Sequence, residues 1–374
     1  MKVDLFTPFV YYGDTSQANG IQFPQRLFDS EAGKLSIDKG IAEATAAHEA
    51  GFDRLTFAEH HYSAVQMTPA PMLVAAAIGR LLPDAEVSIL GIDLPLHNPV
   101  NIAEQIASLD NIVGGRLNYA LLRGTPNEHA TYGQNPWESR ARFEEAVELV
   151  VRCLTEPEPF GWEGRYYRYR NIAMFPGITQ SRPRLMLSGN SEGTARFAGR
   201  MGADLGISFL PAASAAKNVR AYYEAAEEAG WTPSPENILY RQFAYLGETD
   251  DKAWDEADDL GFPGMMAPSP MFAAIMGPLA AAMAGVPKGV VPDMSKAPAL
   301  FGPVWVGTPE TVQQQIEATA DEAGFGRVEL TLTGFGVVPH EKVLENIAWA
   351  GEALLPALHA HEVPALRTPA LAAV

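Results

Sequence analysis

The chain has 374 residues, with 45 Asp and Glu against 27 Lys and Arg, a formal net charge of −18 and a single cysteine. So acidic a surface repels a phosphate backbone and an anionic membrane face, which argues against nucleic acid and membranes as partners. No apolar run reaches the ~20 unbroken residues of a membrane span. Cys153 alone can form no internal disulfide, which fits a reducing, cytoplasmic setting. The start, Met1-Lys2-Val3-Asp4-Leu5-Phe6, reads as a strand rather than a signal peptide.

In chain order, residues 2–9 form a short strand. Ser36 is expected to cap a helix carrying Ile37, Ile41 and Ala44, stopped by Gly51. A strand over 53–59, a helix over 71–81 and a strand over 86–94 follow. Asn98-Pro99 caps a helix with Ile102, Ile106, Leu109 and Val113 on one face, ended by Gly114-Gly115. Next come a strand over 116–122 and a helix marked by Phe143, Val147, Val150 and Leu154. Strands over 184–188 and 204–210 precede helices over 193–201 and 215–229. A strand over 237–247, a helix from Thr308-Pro309 to Gly324 and a strand over 327–333 come next. The last helix starts at Pro339 and is expected to stop at Pro356.

Eight strands, each followed by a helix, imply a parallel sheet, because parallel strands need crossover connections. Eight such units predict an α/β fold closed into a (β/α)8 TIM barrel. That architecture uses ~250 residues, leaving about 124 for additions. The additions are a long loop over 11–35 after strand 1 and an aromatic-rich stretch over 155–183, spaced for a hairpin, after the helix that follows strand 4. A segment over 262–302 follows strand 7. It holds six of the twelve Met, seven Pro, five Gly and three charged residues, which reads either as a lid over an apolar substrate or as an oligomer contact. Residues 1–360 read as one barrel domain and 361–374 as a tail.

Three strand ends carry the chemistry. Glu59, His60 and His61 follow strand 2, at the barrel face where active sites form. Alternation along a strand places Glu59 and His61 on one side and His60 on the other. The pair of His lacks the spacing of a zinc motif, so no metal is expected. After strand 5, Ser188-Gly189-Asn190-Ser191-Glu192-Gly193-Thr194 opens a helix with small and hydroxyl residues, a pattern that cradles a phosphate. The same stretch matches G-x-S-x-G, which leaves open a serine hydrolase using Ser191 with His340, although no oxyanion loop is present. Arg123, after strand 4, is placed to meet an anion. Gly91 inside strand 3 marks a bend or the close approach of a ligand.

The ordered series AEHH (58–61), LPLHNPVNIAEQIASLD (94–110), GGRL…LLRG (114–124), SGNSEGTARFAG (188–199), GTPETV (307–312) and PHEKVL (339–344) resembles the bacterial luciferase-like family of flavin-dependent monooxygenases over about 300 residues. The resemblance implies FMN at the C-terminal mouth, with His60 as the catalytic group beside the isoalloxazine, helping reduced flavin form and use a C4a-peroxide. Arg123, Ser191 and Thr194 would hold the phosphate, with Ser188, Gly189, Asn190, Glu59 and His61 around the cofactor. A non-proline cis peptide is expected between Leu90 and Gly91, under the ring. Leu122 stands where the light-emitting relatives carry a reactive Cys, so luminescence is not expected.

On this resemblance the reaction passes one oxygen atom of O2 to a small apolar substrate. A separate reductase supplies reduced flavin, and the chain forms a homodimer. The deazaflavin F420 is the alternative cofactor, and a non-catalytic flavin-binding subunit is the alternative role.

Overall fold

The computed structural model describes residues 1–15, 23–64, 66–135, 137–262 and 302–366. The segment read above as a lid or contact therefore lies outside the described residues, except for its ends, Phe262 and Gly302.

Eight parallel strands close a barrel. They are β1 (Lys2–Phe6), β2 (Arg54–Phe57), β3 (Val87–Asp93), β4 (Leu117–Leu122), β7 (Leu185–Ser188), β8 (Asp204–Ser208), β9 (Ile238–Leu246) and β11 (Arg327–Thr331). They pair in that order and β11 returns to β1, so the expected barrel is present. Between β4 and β7, β5 (Phe160–Glu163) and β6 (Arg168–Ile172) form the expected hairpin. The short strand β10 (Trp305–Gly307) was not legible in the sequence; it adds to β9 outside the closed ring.

Outward-facing residues of the strands, such as Val3, Leu55, Ile89 and Leu187, merge with the helices into one large core. The inward face is mixed. Leu90, Ala120, Met186 and Leu239 form a small apolar plug. Beside it, buried Asp4 pairs with Arg327 at 2.7 Å and lies 4.0 Å from Arg54. Glu329 meets Arg241 at 3.4 Å, and the Arg241 guanidinium covers the Phe6 ring. Burial, partly relieved by Arg241, pushes the Glu329 carboxyl up to about 7.

The helices surround this ring. They are α1 (Ser30–Ala50), α2 (Pro71–Leu81), α3 (Pro99–Ile112), α4 (Pro126–Thr131), α5 (Ser139–Thr155), α6 (Glu192–Met201), α7 (Ala212–Glu228), α8 (Asp250–Asp259), α9 (Pro309–Ala323), α10 (His340–Trp349) and α11 (Leu355–Ala360). Two expected boundaries move. Asp29, not Ser36, caps α1, because the Asp29 carboxylate accepts from Ala32 N at 2.8 Å. Ser36 lies inside the helix and donates to Ala32 O four residues back. Pro356 does not stop the last helix. A π-turn over Ala350–Leu354 re-registers the backbone, and Pro356 falls in the first turn of α11, where its missing N–H costs nothing.

The rim at the strand C-termini is built from constrained residues. Phe9, Tyr62, Phe209 and Phe335 all have φ between 50° and 62°, each just beyond a barrel strand. A bulky residue in that region costs on the order of 1–3 kcal/mol, so packing around each must hold it there.

Candidate active site

A cavity of about 530 Å³ opens at this rim. At one end β7 runs into α6. Ser191 caps that helix: its Oγ accepts from Thr194 N at 3.2 Å and lies 3.0 Å from Thr194 Oγ1. Gly189 lets the turn close, since a Cβ there would sit 3.0 Å from Thr194 Oγ1. Arg123, just beyond β4, lines the same end with Arg140 from α5. Loss of surrounding water and the nearby Arg140 charge lower the Arg123 pKa. Arg140 pairs with Glu144 at 2.9 Å, and no carboxylate pairs with Arg123 among the described residues. Two guanidinium groups, a helix N-terminus and two hydroxyls give this end a set of donors suited to an anion.

At the other end stands His60. Its Nδ1 donates to Glu128 Oε1 at 3.1 Å, which leaves Nε2 as its remaining ring nitrogen. Glu128 is 1% exposed and sits in the first turn of α4. Its Oε2 accepts from Thr125 N at 2.8 Å and from Thr125 Oγ at 2.5 Å, and its Oε1 also accepts from His61 N at 3.3 Å. Burial opposes a charge on Glu128, but the His60 hydrogen bond and charge, with further donors, hold its carboxyl far below the usual range. Asp93, at the end of β3, moves the other way. Burial first, then the charges of Glu128 and Glu59, raise its pKa well above normal, which favours its protonated form. Its Oδ2 is buried and meets no partner among the described residues.

Glu59 lies behind this layer, 4% exposed. Its Oε1 accepts from His61 Nε2 at 2.9 Å and from His97 Nε2 at 2.6 Å, and its Oε2 accepts from Asp93 N at 3.1 Å. Burial is outweighed by these donors, and the carboxyl is held below its usual range. Tyr132 donates its hydroxyl to His61 Nδ1 at 3.1 Å, which completes the ring's bonding.

Of the residues singled out in the sequence, His60, Arg123, Ser188, Gly189, Asn190, Ser191 and Thr194 line the cavity together. Four do not. Glu59 and His61 bond to each other behind it, as a buried carboxylate needs donors more than it needs a ligand. Leu90 belongs to the barrel plug, and Gly91 lies beside it. The Leu90–Gly91 bond is cis, as the resemblance implied. A Cβ on Gly91 would fall 1.6 Å from Leu122 Cδ1 and 2.8 Å from Ala120 O, so only glycine fits. Asn190 also braces the wall: its side chain bridges to Ser208 N and O at 3.0 and 2.8 Å. The hydrolase alternative finds no support at this cavity: His340 does not line it, and Ser191 Oγ is used in the α6 cap.

Sequence reasoning missed Asp93, His97, Glu128 and Arg140. A signal existed for Glu128: Thr125-Pro126-Asn127-Glu128 has capping-box spacing. Nothing local marked Asp93 as neutral, because its state depends on two carboxylates 34 and 35 positions away in sequence. His60, Asp93 and Glu128 place ligand atoms within 4.8 Å of one another, close enough for a metal ion. Each Glu128 oxygen already accepts two hydrogen bonds, so the trio reads as a proton-holding cluster.

Residues 1–327 match the family of luciferase-like monooxygenases, and the chain belongs to that family. The fold is that of monooxygenase RslO1 from Streptomyces bottropensis (TM-score 0.75, 24% identity, 95% of this chain and 99% of that one). It is also that of the FMN-bound oxygenating constituent of 3,6-diketocamphane monooxygenase of Pseudomonas putida (TM-score 0.73, 20% identity, 97% and 99%). The F420-dependent hydroxymycolic acid dehydrogenase of Mycobacterium tuberculosis is 30% identical over 240 residues, 61% of this chain and 64% of that protein. The chain spans about half the length of the first curated relatives it matches. Among the described residues no helix is long and apolar enough to cross a membrane.

Proposed function

We propose that the chain is a monooxygenase that uses reduced FMN and O2 on a small organic substrate. The observation that carries this reading is the two-ended cavity, with an anion cradle at Arg123, Arg140 and the α6 N-terminus and a proton-holding cluster at His60, Glu128 and Asp93. Reduced FMN would supply the two electrons for O2 cleavage, one oxygen atom going to the substrate and the other leaving as water.

The chain's own residues do the rest. Arg123, Arg140, Ser191 and Thr194 would hold the cofactor's phosphate. Glu128 holds the His60 ring by Nδ1, so that Nε2 can give or take a proton at one defined place. The raised pKa of Asp93 favours its neutral form, which keeps a second negative charge away from the reacting end. Leu122 and Phe197 bring apolar surface to the cavity wall and limit water. The partners on this reading are O2, a separate reductase that supplies the reduced cofactor, and a second copy of the chain.

The F420 reading has one observation in its favour, the identity to the mycobacterial dehydrogenase. Titrating the purified chain with FMN and with F420, then following O2 uptake with reduced FMN and candidate substrates, separates the two. Tight FMN binding with substrate-dependent O2 uptake is expected. Binding of F420 alone would replace the proposal, and binding of neither would end it.

A further inference from the structure

We propose that the hollow between the loops following β1 and β2 is the subsite for the organic substrate, and that it takes a neutral, ring-bearing molecule with an apolar body. Its geometry stands apart from the flavin reading; its role as the substrate's place rests on that reading.

The hollow has a volume of about 340 Å³, at the lower end for small-molecule pockets. Tyr11, Phe23, Phe28, Tyr62 and Met67 make most of its wall. Among the described residues no Lys, Arg, Asp or Glu lines it, so an ionised ligand would lose its water with nothing in return. A neutral ligand is therefore favoured. The aromatic walls select rings. Tyr11 lies 5.4 Å from the Phe23 ring and 5.7 Å from the Phe28 ring, and such faces stack on flat groups better than on a flexible chain.

The walls are also fixed in place. Tyr11 is 4% exposed, and its Oη accepts from Asp29 N at 2.8 Å, tying the floor to the cap of α1. Phe28 is 50% exposed, a large ring left open to water. Gly33 explains how it sits there, since a Cβ at Gly33 would fall 2.4 Å from Phe28 Cζ. A ligand in the hollow would cover this ring. Gln66 donates its amide to Ala58 O, which orients the polar patch of the wall.

Position gives the hollow its meaning. His60 lines both this hollow and the phosphate-cradling cavity, and it is a member of both linings together with no other residue. A ring here and a cofactor in the larger cavity would meet at His60 from two sides.

The test uses the flavin-free full chain at neutral pH with three probes: 2-naphthol (neutral ring), 2-naphthoate (charged ring) and 1-decanol (neutral chain). One 2-naphthol site is expected, with the other two probes at least about tenfold weaker. Phe28→Ala and Phe23→Ala should each weaken 2-naphthol about tenfold. FMN affinity, measured on the same variants, should stay within about twofold, because neither ring lines the phosphate-cradling cavity. Unchanged 2-naphthol binding in both variants would overturn the site. Equal binding of naphthoate or decanol would overturn the ligand class. Intact naphthol binding in a chain that binds no FMN would count against the flavin reading and leave the hollow standing as a binding site.

Discussion

Arg123 and Asp93 show how one cavity sets opposite demands on two side chains. Among the described residues Arg123 has no carboxylate partner, and on the proposed function a phosphate would supply the anion. Arg123→Ala should weaken FMN binding by about 1.5–3 kcal/mol, read by fluorescence titration; an unaltered affinity would place the phosphate elsewhere. His60→Ala should lower coupled product formation and raise hydrogen peroxide release, and unchanged coupling would remove His60 from the chemistry. Asp93 is raised, so it binds its proton more tightly folded than unfolded. Its contribution to stability is therefore full at low pH and is lost as pH climbs from the ordinary Asp value toward the raised one. Asp93→Asn keeps a neutral donor beside Glu128 and has no such loss. In denaturant melts its stability relative to the wild type should improve steadily from pH 4 to pH 8. A constant difference across that range would mean that Asp93 titrates normally.

Elements decide where those side chains can stand. Gly199 lies where α6 crosses α7, and a Cβ there would come within 2.6 Å of Tyr222 O and 2.9 Å of Ala226 N. Gly199→Ala must push α6 off its neighbour, at a cost of about 1–3 kcal/mol, and should also loosen FMN because Ser191 and Thr194 move with that helix. Gly91→Ala should cost a similar amount, and Leu122→Ala should restore only part of it, since Ala120 O still blocks the Cβ. Thermal melts of the single and double variants check this. The strand–helix order was readable because each strand is a short apolar run and most helices carry a cap or a stop residue. What was not readable depended on distant partners. Strand β10 is three residues long and exists by pairing with β9. The last helix passes Pro356 because a π-turn precedes it. Glu59 and His61 bore the right chemistry in the motif, yet their mutual bond puts them behind the cavity.

At the scale of the molecule, the −18 charge and the proposed phosphate cradle are compatible because they act over different distances. Salt screens exposed charges beyond ~8–10 Å, while Arg123 and Arg140 would act on a bound phosphate at contact. FMN affinity should therefore fall only modestly between low and physiological salt. The barrel interior carries its own charges, Asp4 with Arg327 and Glu329 with Arg241, on β1, β9 and β11, while β3 and β7 bring Asp93 and Ser188 to the rim. The rim carries four aromatic residues in an unfavourable backbone region, which the packing around each must hold in place.

Glu128 completes the N-terminal cap of α4 and also positions the His60 ring. A single carboxylate thus ties the folding of a six-residue helix to the orientation of the His60 imidazole. Descendants of this sequence cannot adjust one without disturbing the other. Changes at Thr125, Glu128 and His60 should be strongly epistatic, and lineages that alter the proton chemistry are expected to have replaced the entire turn together rather than one position at a time.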